Sequence, residues 1–289
     1  MLDLDQTNAM GDKYPLGKLI VEGKTKKVYA VKNNSSLVVL VAKDDITAGD
    51  GAKHDVLLGK AILANETTCN VFRLLSEEGL PVAFLEQDSN TSFVAPACHM
   101  LPYEVVVRRE ADGSYLKRNP ESRRGMVFPE LLLEFHLKTS GKVWKGHTLP
   151  CDDPFMTYDR NGRVFKLYHP TEPMLNQEPF RVLPESEVFT VEDERDLICR
   201  MGDTAKQAFI ILEKAWQKQG GRLVDYKVEF GLGPYGSGAL LLADVIDADS
   251  CRVLDSDNRP LSKQGYRDGS SLDVVLATYE IVAELTSRF

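Results

Sequence analysis

The sequence predicts an α+β protein that folds into two lobes. Short β-branched runs separated by tight turns fill residues 18–43, which is typical of antiparallel strands. Apolar residues recur at three-and-four spacing from Ile198 to Trp216 and again from Leu272 to Leu285, which predicts two long helices. With 289 residues, the chain is long enough for one large domain or for two lobes that share an interface.

The other elements follow from local signals. Residues 1–17 are polar and predict a loose leader, and residues 55–78 predict a helix that ends before a glycine. Strands are expected near 82–84 and 103–109. Residues 117–190 are rich in proline and weakly periodic, so we expect loops and short elements on the surface. Thr190 is the expected N-cap of the helix around Ile198, which the Gly220-Gly221 pair should end.

Residues 223–230 and 239–246 predict a strand pair, joined by a glycine-rich turn. In the first strand, apolar and charged residues alternate one for one, so the two sets face opposite sides of the sheet. Its apolar side should lie on the core. Its charged side faces either water or a binding site that needs the charges. The apolar set is Val224, Tyr226, Val228 and Phe230, and the charged set is Asp225, Lys227 and Glu229.

Composition excludes several classes of protein. A net charge of −8 argues against a nucleic-acid surface. No apolar run approaches a membrane span and no signal-peptide pattern is present, which predicts a cytoplasmic protein with no membrane partner. The five cysteines are scattered without a CxxC pair, so we expect reduced thiols and neither disulfides nor a zinc site.

Two loops could bind phosphate. The turn at residues 22–27 places Gly23 between charged residues and supplies Lys24 and Lys26, although lysine-rich turns are more often only solvated. The loop at residues 44–52 is polar and small, and could offer backbone N–H groups to an anion or simply connect a strand to a helix; its candidate residues are Thr47, Gly49, Asp50 and Gly51.

Further candidates lie beside strands. Arg108 with Ser114 could grip a phosphate or carboxylate, and Met100 could lie against a purine ring. Asp244 could complete a Mg²⁺ site with Glu229, because Mg²⁺ takes one or two carboxylates together with phosphate oxygens. Taken singly, each signal is ambiguous. The histidines form no i,i+4 pair, and we assign them no catalytic role.

The order of the motifs is specific. EGKTKKVY, DDITAGDGA, MLPYEVVVRREADGSYLKR, LVDYKVEFG and LADVIDADSCR together resemble the phosphoribosylaminoimidazole-succinocarboxamide synthase (SAICAR synthetase) family. The resemblance runs from about residue 18 to the C-terminus and is interrupted in the middle. It implies a two-lobed fold with an antiparallel-sheet N-terminal lobe at 18–109, a mixed α+β substrate and metal-binding lobe at 110–289, and an ATP cleft between them.

The resemblance also implies an activity. Members join L-aspartate to carboxyaminoimidazole ribotide (CAIR) in purine biosynthesis, with ATP and Mg²⁺, through an acyl phosphate; the products are SAICAR, ADP and phosphate. The expected catalytic residues are Lys227 and Asp225, with Asp225 near the metal. ATP should contact Gly23, Lys24, Lys26, Met100, Glu229 and Asp244, of which the last two hold the metal. The other substrates should contact Thr47, Gly49, Asp50, Gly51, Arg108, Ser114, Asp249, Arg252, Lys263 and Arg267.

We therefore expect an edge of sheet whose ionic side lines a nucleotide cleft. Residues 138–153 are longer than the family's usual segment, which leaves open whether Lys138 contacts ATP. A small-molecule kinase of related fold is the alternative, although HRD and DFG strings are absent from the sequence. A nucleotide-binding protein without activity is a second alternative. Monomer and homodimer both stay open.

Overall fold

The computed structural model describes residues 13–49, 52–139, 141–189, 194–234 and 238–289. The helices in these ranges are α1 (Lys60–Glu77), α2 (Ser114–Arg118), α3 (Glu185–Val188), α4 (Glu194–Lys218), α5 (Gln264–Arg267) and α6 (Leu272–Thr286). The strands of the first half are β1 (Leu16–Glu22), β2 (Lys26–Val31), β3 (Asn34–Ala42), β4 (Asp45–Ala48), β5 (Lys53–Val56), β6 (Glu86–Ser89), β7 (Ser92–Pro96), β8 (His99–Glu110) and β9 (Val127–Leu137). Those of the second half are β10 (Val143–Trp144), β11 (His147–Thr148), β12 (Phe155–Asp159), β13 (Val164–Tyr168), β14 (Arg181–Pro184), β15 (Arg222–Leu232), β16 (Leu240–Ala243) and β17 (Cys251–Leu254).

The N-terminal lobe is an antiparallel sheet of five strands in the order β1-β2-β3-β7-β6. Its first three strands confirm the strands that the turn-separated apolar runs predict. β1 begins at Leu16, inside the predicted leader, because its first residue pairs with Val31. On one face the sheet packs against α1, where the Phe72 ring meets the Phe93 ring edge-on at 6.0 Å. The sheet therefore shares its core with α1, which lies in the chain between β5 and β6.

The second sheet has eight strands, in the order β14-β13-β12-β9-β8-β15-β16, with β17 paired to the first part of β15. Four of these strands, β9 and β12 to β14, come from the segment predicted to form surface loops, so that prediction is wrong. Prolines there lie at strand ends, as Pro184 does, or in the half-exposed start of β9, as Pro129 does. Pairing with β8 and its neighbours makes these residues strands, and that pairing is not visible in local periodicity.

β15 lies inside this sheet, which corrects the expectation of a sheet edge. One side of β15 pairs with β8 along nearly its whole length. The other side is shared: Arg222 to Tyr226 pair with β17, and Glu229 to Leu232 pair with β16. Between those two pairings the chain at residues 244–250 leaves the sheet as a loop. This gap is where the sheet opens onto a cleft.

Three local expectations also need correction. α1 begins at Lys60 and not near 55, because residues 53–56 form β5 of a hairpin with β4. Gly59 has a φ of 91°, so the helix does not extend towards the N-terminus beyond Lys60. Near 82–84 there is only a single parallel bridge from Val82 to Leu242. β16 ends at Ala243, since the following residue, Asp244, has a φ of 67°.

The apolar side of β15 packs on α4, as the alternation predicts. Tyr226 is fully buried, its ring lies 5.5 Å from that of Phe209, and its hydroxyl donates to the carbonyl of Ala205 at 2.6 Å. The predicted cap Thr190 lies outside the described residues, whereas the predicted end of α4 before Gly220 is confirmed. Within the described part of the chain, no helix is long and apolar enough to span a membrane.

Candidate active site

The charged side of β15 continues across the sheet. Strand register places Glu229 opposite Glu104, Lys227 opposite Val106 and Asp225 opposite Arg108. β9 adds His136 opposite Glu104 and Glu134 opposite Val106. One face of the central sheet therefore carries rows of ionic side chains, while α4 covers the other face. The alternation of apolar and charged residues in β15 predicts its charged side. The strand register aligns that side with the ionic residues of β8 and β9.

The Lys227 and Glu229 end of this face lines a cleft of about 180 Å³. Across the cleft lie the turn before β2, the β4–β5 hairpin and the loop after β16. Nine residues predicted from sequence meet here: Lys24, Lys26, Thr47, Lys227, Glu229, Asp244, Asp249, Lys263 and Arg267. Residues that are far apart in the chain thus converge on one cavity between the two sheets.

Ion pairs hold the cleft together. The Lys26 ammonium contacts the Asp244 carboxylate across the cleft, and the Lys138 ammonium contacts the Glu229 carboxylate. Lys227 Nζ lies 2.8 Å from Glu104 Oε2. Lys26, Lys138 and Lys227 therefore each face a carboxylate, and an anionic ligand can recruit these cations by replacing that carboxylate.

Burial and neighbouring charges shift the pKa values in the cleft. Burial lowers the pKa of Lys26 to about 8, even though the Glu229 carboxylate opposes the shift. Burial would also lower the pKa of Lys227, but the Glu104 carboxylate outweighs it and raises that pKa. The Lys227 side chain is 49% exposed and lines the cleft. It is therefore a stable positive charge that a ligand can reach.

Glu229 and Asp244 fit the chemistry of a Mg²⁺ site. Glu229 pairs with Ala243, the last residue of β16, and Asp244 is the next residue in the chain. Both residues line the cleft. Within the described ranges, no group of three or more His, Cys, Asp or Glu side chains could hold a metal ion without other ligands. Two carboxylates suit Mg²⁺ when phosphate oxygens complete its coordination. Lys26 forms an ion pair with Asp244, and Lys138 forms one with Glu229.

A larger cavity of about 740 Å³ continues from the cleft. The two share Glu104, Lys227, Asp249, Ser250 and Arg267 in their linings. The predicted substrate residues that line this cavity are Gly49, Arg108, Ser114, Asp249, Arg252 and Arg267. A ligand group in the larger cavity can therefore reach a phosphate held in the cleft, with Lys227 between them.

Asp225 lies in the larger cavity, which corrects the expectation that it sits beside the metal ligands. Its carboxylate accepts hydrogen bonds from Arg108 and Arg252, the residues directly opposite it on β8 and β17. A bulge between Leu223 and Asp225 accompanies this pairing. The sequence shows the charged face but not which end of it meets which cavity.

Arg108 is also more buried than a strand-end arginine, at 3% exposure. Its Nε donates to Glu134 Oε2 at 2.9 Å and its Nη2 donates to Ser114 Oγ at 2.9 Å. With Nη1 on Asp225, each of its nitrogens is engaged. Arg108 therefore fixes Ser114 and Asp225 in place, and Arg252 and Arg267 are more accessible in the cavity than Arg108.

Some predicted residues lie apart from both cavities. Met100 is 43% exposed and stands opposite Gly231 at the start of β8, outside the lining of either cavity. Gly23 donates its N–H to the carbonyl of Lys26 at 2.8 Å and so closes the lysine-rich turn. Asp50 and Gly51 lie outside the described residues.

The structure adds residues that the sequence did not single out. Glu104 and His136 line the cavities, and the alternation in β8 gave a signal for Glu104. Asp153 lines the larger cavity from the segment predicted to be loops. Lys60 is buried beside Asp249, and nothing in the sequence pattern distinguishes it from an ordinary helix lysine.

Comparisons with known proteins show the family of the chain. A sequence model described as SAICAR synthetase matches residues 19–143 and 181–283. A phosphoribosylaminoimidazole-succinocarboxamide synthase from Chloroflexus aurantiacus is 38% identical over 281 residues, which cover 95% of this chain and 98% of that protein. A bifunctional phosphoribosylaminoimidazole carboxylase/phosphoribosylaminoimidazole succinocarboxamide synthetase from Drosophila melanogaster is 36% identical over 96% of this chain, and this match covers 59% of the longer protein.

Solved structures show the same relationship. A type-2 SAICAR synthetase solved in complex with ADP superposes with a TM-score of 0.71 at 28% identity, covering 92% of this chain and 96% of that one. A crystal structure (Type-1) of SAICAR synthetase from Pyrococcus horikoshii OT3 gives a TM-score of 0.68 at 27% identity, covering 91% of this chain and 97% of that one. Both the fold and the sequence place the protein with these enzymes, and the chain belongs to the SAICAR synthetase family.

Proposed function

We propose that this protein is an ATP-dependent ligase that joins L-aspartate to carboxyaminoimidazole ribotide and forms SAICAR, ADP and phosphate. The observation that carries this proposal is the continuity of the two cavities. A lysine and carboxylate cleft suited to phosphates opens into an arginine-lined cavity suited to an anionic ribotide, and Lys227 stands where they meet. The family of the chain supplies the substrates.

The reaction proceeds in two steps. A carboxylate oxygen of the ribotide attacks the γ-phosphorus of ATP, and the bond from that phosphorus to the β,γ-bridging oxygen breaks to release ADP. The amine of aspartate then attacks the acyl carbon, the bond from carbon to the phosphorylated oxygen breaks, and phosphate leaves with that oxygen. The amine loses a proton as the amide forms. No protein nucleophile is needed, so positioning and charge neutralisation account for catalysis.

The chain supplies cations for this transfer. Lys24 and Lys26 face the cleft from the N-terminal lobe and bind ATP phosphates, and Gly23 shapes their turn. Lys227 neutralises charge on the transferred phosphoryl group, since its ammonium reaches both cavities. Glu229 and Asp244 would hold Mg²⁺, which when bound neutralises phosphate charge. Met100 is assigned to the adenine side at the start of β8, where its side chain is accessible.

The ribotide is assigned to the larger cavity. Arg252 and Arg267 offer guanidinium groups for its phosphate, and Ser114 offers a hydroxyl beside them. Asp249 is an acceptor for its sugar hydroxyls. Arg108 and Asp225 support this set by their ion pairs, and the hairpin that carries Thr47 and Gly49 covers the substrates. Lys263 lines the cleft and is assigned to the aspartate substrate.

Other parts of the proposal come from the family resemblance. Residues 18–109 are assigned to the nucleotide-binding lobe, although β8 at their end belongs to the eight-stranded sheet, and residues 110–289 are assigned to the substrate and metal-binding lobe. The enzyme is assigned to the cytoplasm, and its proposed partners are small metabolites, without nucleic acid or a membrane. The proposed assembly is a monomer or a homodimer.

The test is the dependence of ADP release on both acceptors. Purified protein with ATP and Mg²⁺ is assayed with CAIR and aspartate, with each alone and with neither, and SAICAR is identified by mass spectrometry. Only the complete mixture is expected to give ADP and SAICAR in equal amounts. ADP release with a sugar or inositol hydroxyl as acceptor would identify a kinase, and tight ATP binding without turnover in any mixture would identify an inactive nucleotide-binding protein.

A further inference from the structure

A buried lysine stands at the start of α1. Lys60 is the first helical residue, and only 1% of its surface is exposed. An ammonium in that place is unfavourable for two reasons: burial removes its hydration, and the N-terminus of a helix repels positive charge. The protein therefore needs a partner that compensates for both costs.

That partner is Asp249 on the loop between β16 and β17. Lys60 Nζ lies 3.4 Å from Asp249 Oδ2 and 5.4 Å from the centre of the Tyr279 ring. The Tyr279 hydroxyl donates to Asp249 Oδ1, and Lys263 Nζ lies 3.6 Å from Oδ2. Oδ1 is thus held by a hydrogen bond from α6, while Oδ2 is buried without a hydrogen-bond partner among the described residues and is held by the charges of Lys60 and Lys263, from α1 and from the turn before α5. Burial would raise the pKa of Asp249, but Lys60 and Lys263 outweigh it and lower that pKa.

Asp249 and Lys60 differ in which cavities they line. Asp249 lines both the nucleotide cleft and the larger cavity, and 12% of its side chain is exposed, so a ligand in either cavity lies beside this residue. Lys60 lines neither of them. It borders only a small internal space of about 20 Å³ behind Lys26. Any effect of Lys60 on the ribotide must therefore pass through Asp249.

We propose that Lys60 is a positioning residue that, with Tyr279, fixes the Asp249 carboxylate in the orientation that accepts hydrogen bonds from the ribotide. This inference rests on the proposed function, because the ribotide is the ligand assigned to the larger cavity. It adds a residue that has no contact with substrate to the determinants of substrate affinity. It also ties α1, which packs on the nucleotide-binding lobe, to the ribotide site.

The test compares Lys60→Met and Tyr279→Phe with wild type. Each variant is expected to raise the CAIR KM about tenfold, the size of a lost hydrogen bond to a charged group, while the ATP KM stays the same. Asp249→Asn is expected to raise the CAIR KM likewise. Adding Lys60→Met to Asp249→Asn should cause little further change, because both substitutions disrupt one interaction. Lys214→Met on the exposed face of α4 is the matched control and should leave both KM values unchanged.

The alternative is a purely structural role for Lys60. In that case Lys60→Met lowers the melting temperature but leaves the CAIR KM at the wild-type value, which overturns the inference. If Lys60→Met does not fold, Tyr279→Phe decides the question, since it removes only a hydroxyl from the same carboxylate. Calorimetric titration with CAIR separates the two proposals. Wild-type protein that neither binds CAIR nor forms SAICAR overturns both, whereas active wild type with unchanged variants overturns only this inference.

Discussion

At the scale of single residues, Lys227 has the environment that the proposed role requires. It comes from a buried strand, yet its side chain is 49% exposed and lines the cleft, and its ammonium is paired only with Glu104 among the described residues. Neighbouring lysines instead contact the two carboxylates assigned to the metal. Lys227 is therefore the cation that can follow the phosphoryl group from ATP to the ribotide.

Removing this charge should impair turnover without unfolding the protein. Lys227→Met is expected to lower kcat by about 10²–10³-fold, the usual loss when one group that stabilises transition-state charge is removed. Because the side chain is half exposed, the melting temperature should change little. Steady-state ADP release and thermal unfolding measure the two effects. Turnover equal to wild type would remove Lys227 from the mechanism.

Lys26 should make nucleotide binding depend on pH. Burial lowers its pKa to about 8, so the ligand-free protein loses this positive charge as the pH rises through that value. ATP binding must then restore the proton, and ATP affinity should fall above pH 8. Lys26→Arg keeps its charge over this range, so affinity in that variant should stay flat. Calorimetric titrations from about pH 6 to about pH 10 test this, and a wild-type affinity that is constant over the range would contradict it.

At the scale of elements, the turn before α2 shapes the arginine-lined cavity. Gly113 has a φ of 57° and a ψ of −130°, a conformation that other residues rarely adopt. A Cβ atom there would lie 2.8 Å from Arg252 Nη2. The turn can therefore approach the Arg252 guanidinium only because this position is glycine.

Gly113→Ala should both strain the backbone and displace Arg252. We expect a loss of about 1–3 kcal/mol in the free energy of unfolding and a higher CAIR KM. Gly125→Ala is the matched control, since Gly125 also has a positive φ, of 76°, but its nearest atom to a new Cβ is Glu110 Oε2 at 3.9 Å. The control should lose stability without a change in KM. Equal KM values for the two variants would show that Arg252 does not need this turn.

The elements also show how far sequence patterns reach. Turn-separated apolar runs predict β1 to β3 because those hairpins are local, and three-and-four spacing predicts α4 and α6 because a helix buries one continuous face. Sequence patterns did not predict β9 and β12 to β14, because these segments become strands by pairing with residues that are distant in the chain. For the site, alternation predicts which side chains share a face, but the ends of β15 reach different cavities only because the chain leaves the sheet between β16 and β17.

At the scale of the whole molecule, a buried ionic network supports the site. Glu134 accepts hydrogen bonds from Arg108 and Arg118, and Arg108 connects onward to Asp225 and Arg252. Burial would raise the pKa of Glu134, but the two arginines outweigh it and hold that pKa below its ordinary value of 4.5. The folded protein therefore keeps this carboxylate ionised where the unfolded chain would take up a proton.

This network should make the fold sensitive to acid. Because the unfolded chain binds the proton more tightly, the free energy of unfolding should fall as the pH drops below about 4.5. Arg118→Met should cost about 3–5 kcal/mol at neutral pH and weaken the acid dependence. Arg259→Met, which breaks an exposed pair with Asp255, should cost less than about 1 kcal/mol. Urea unfolding at several pH values measures these differences, and equal losses in the two variants would show that the network adds no stability.

The central claim is that the two connected cavities transfer a phosphoryl group to the ribotide carboxylate before aspartate attacks. CAIR labelled with oxygen-18 in its carboxylate tests this directly, because the acyl phosphate breaks between carbon and the phosphorylated oxygen. Mass spectrometry of the products is expected to show one labelled oxygen in the inorganic phosphate for each SAICAR formed. Unlabelled phosphate released together with SAICAR, with the lost carboxylate oxygen found in water, would contradict the account, as would unlabelled phosphate released without any SAICAR.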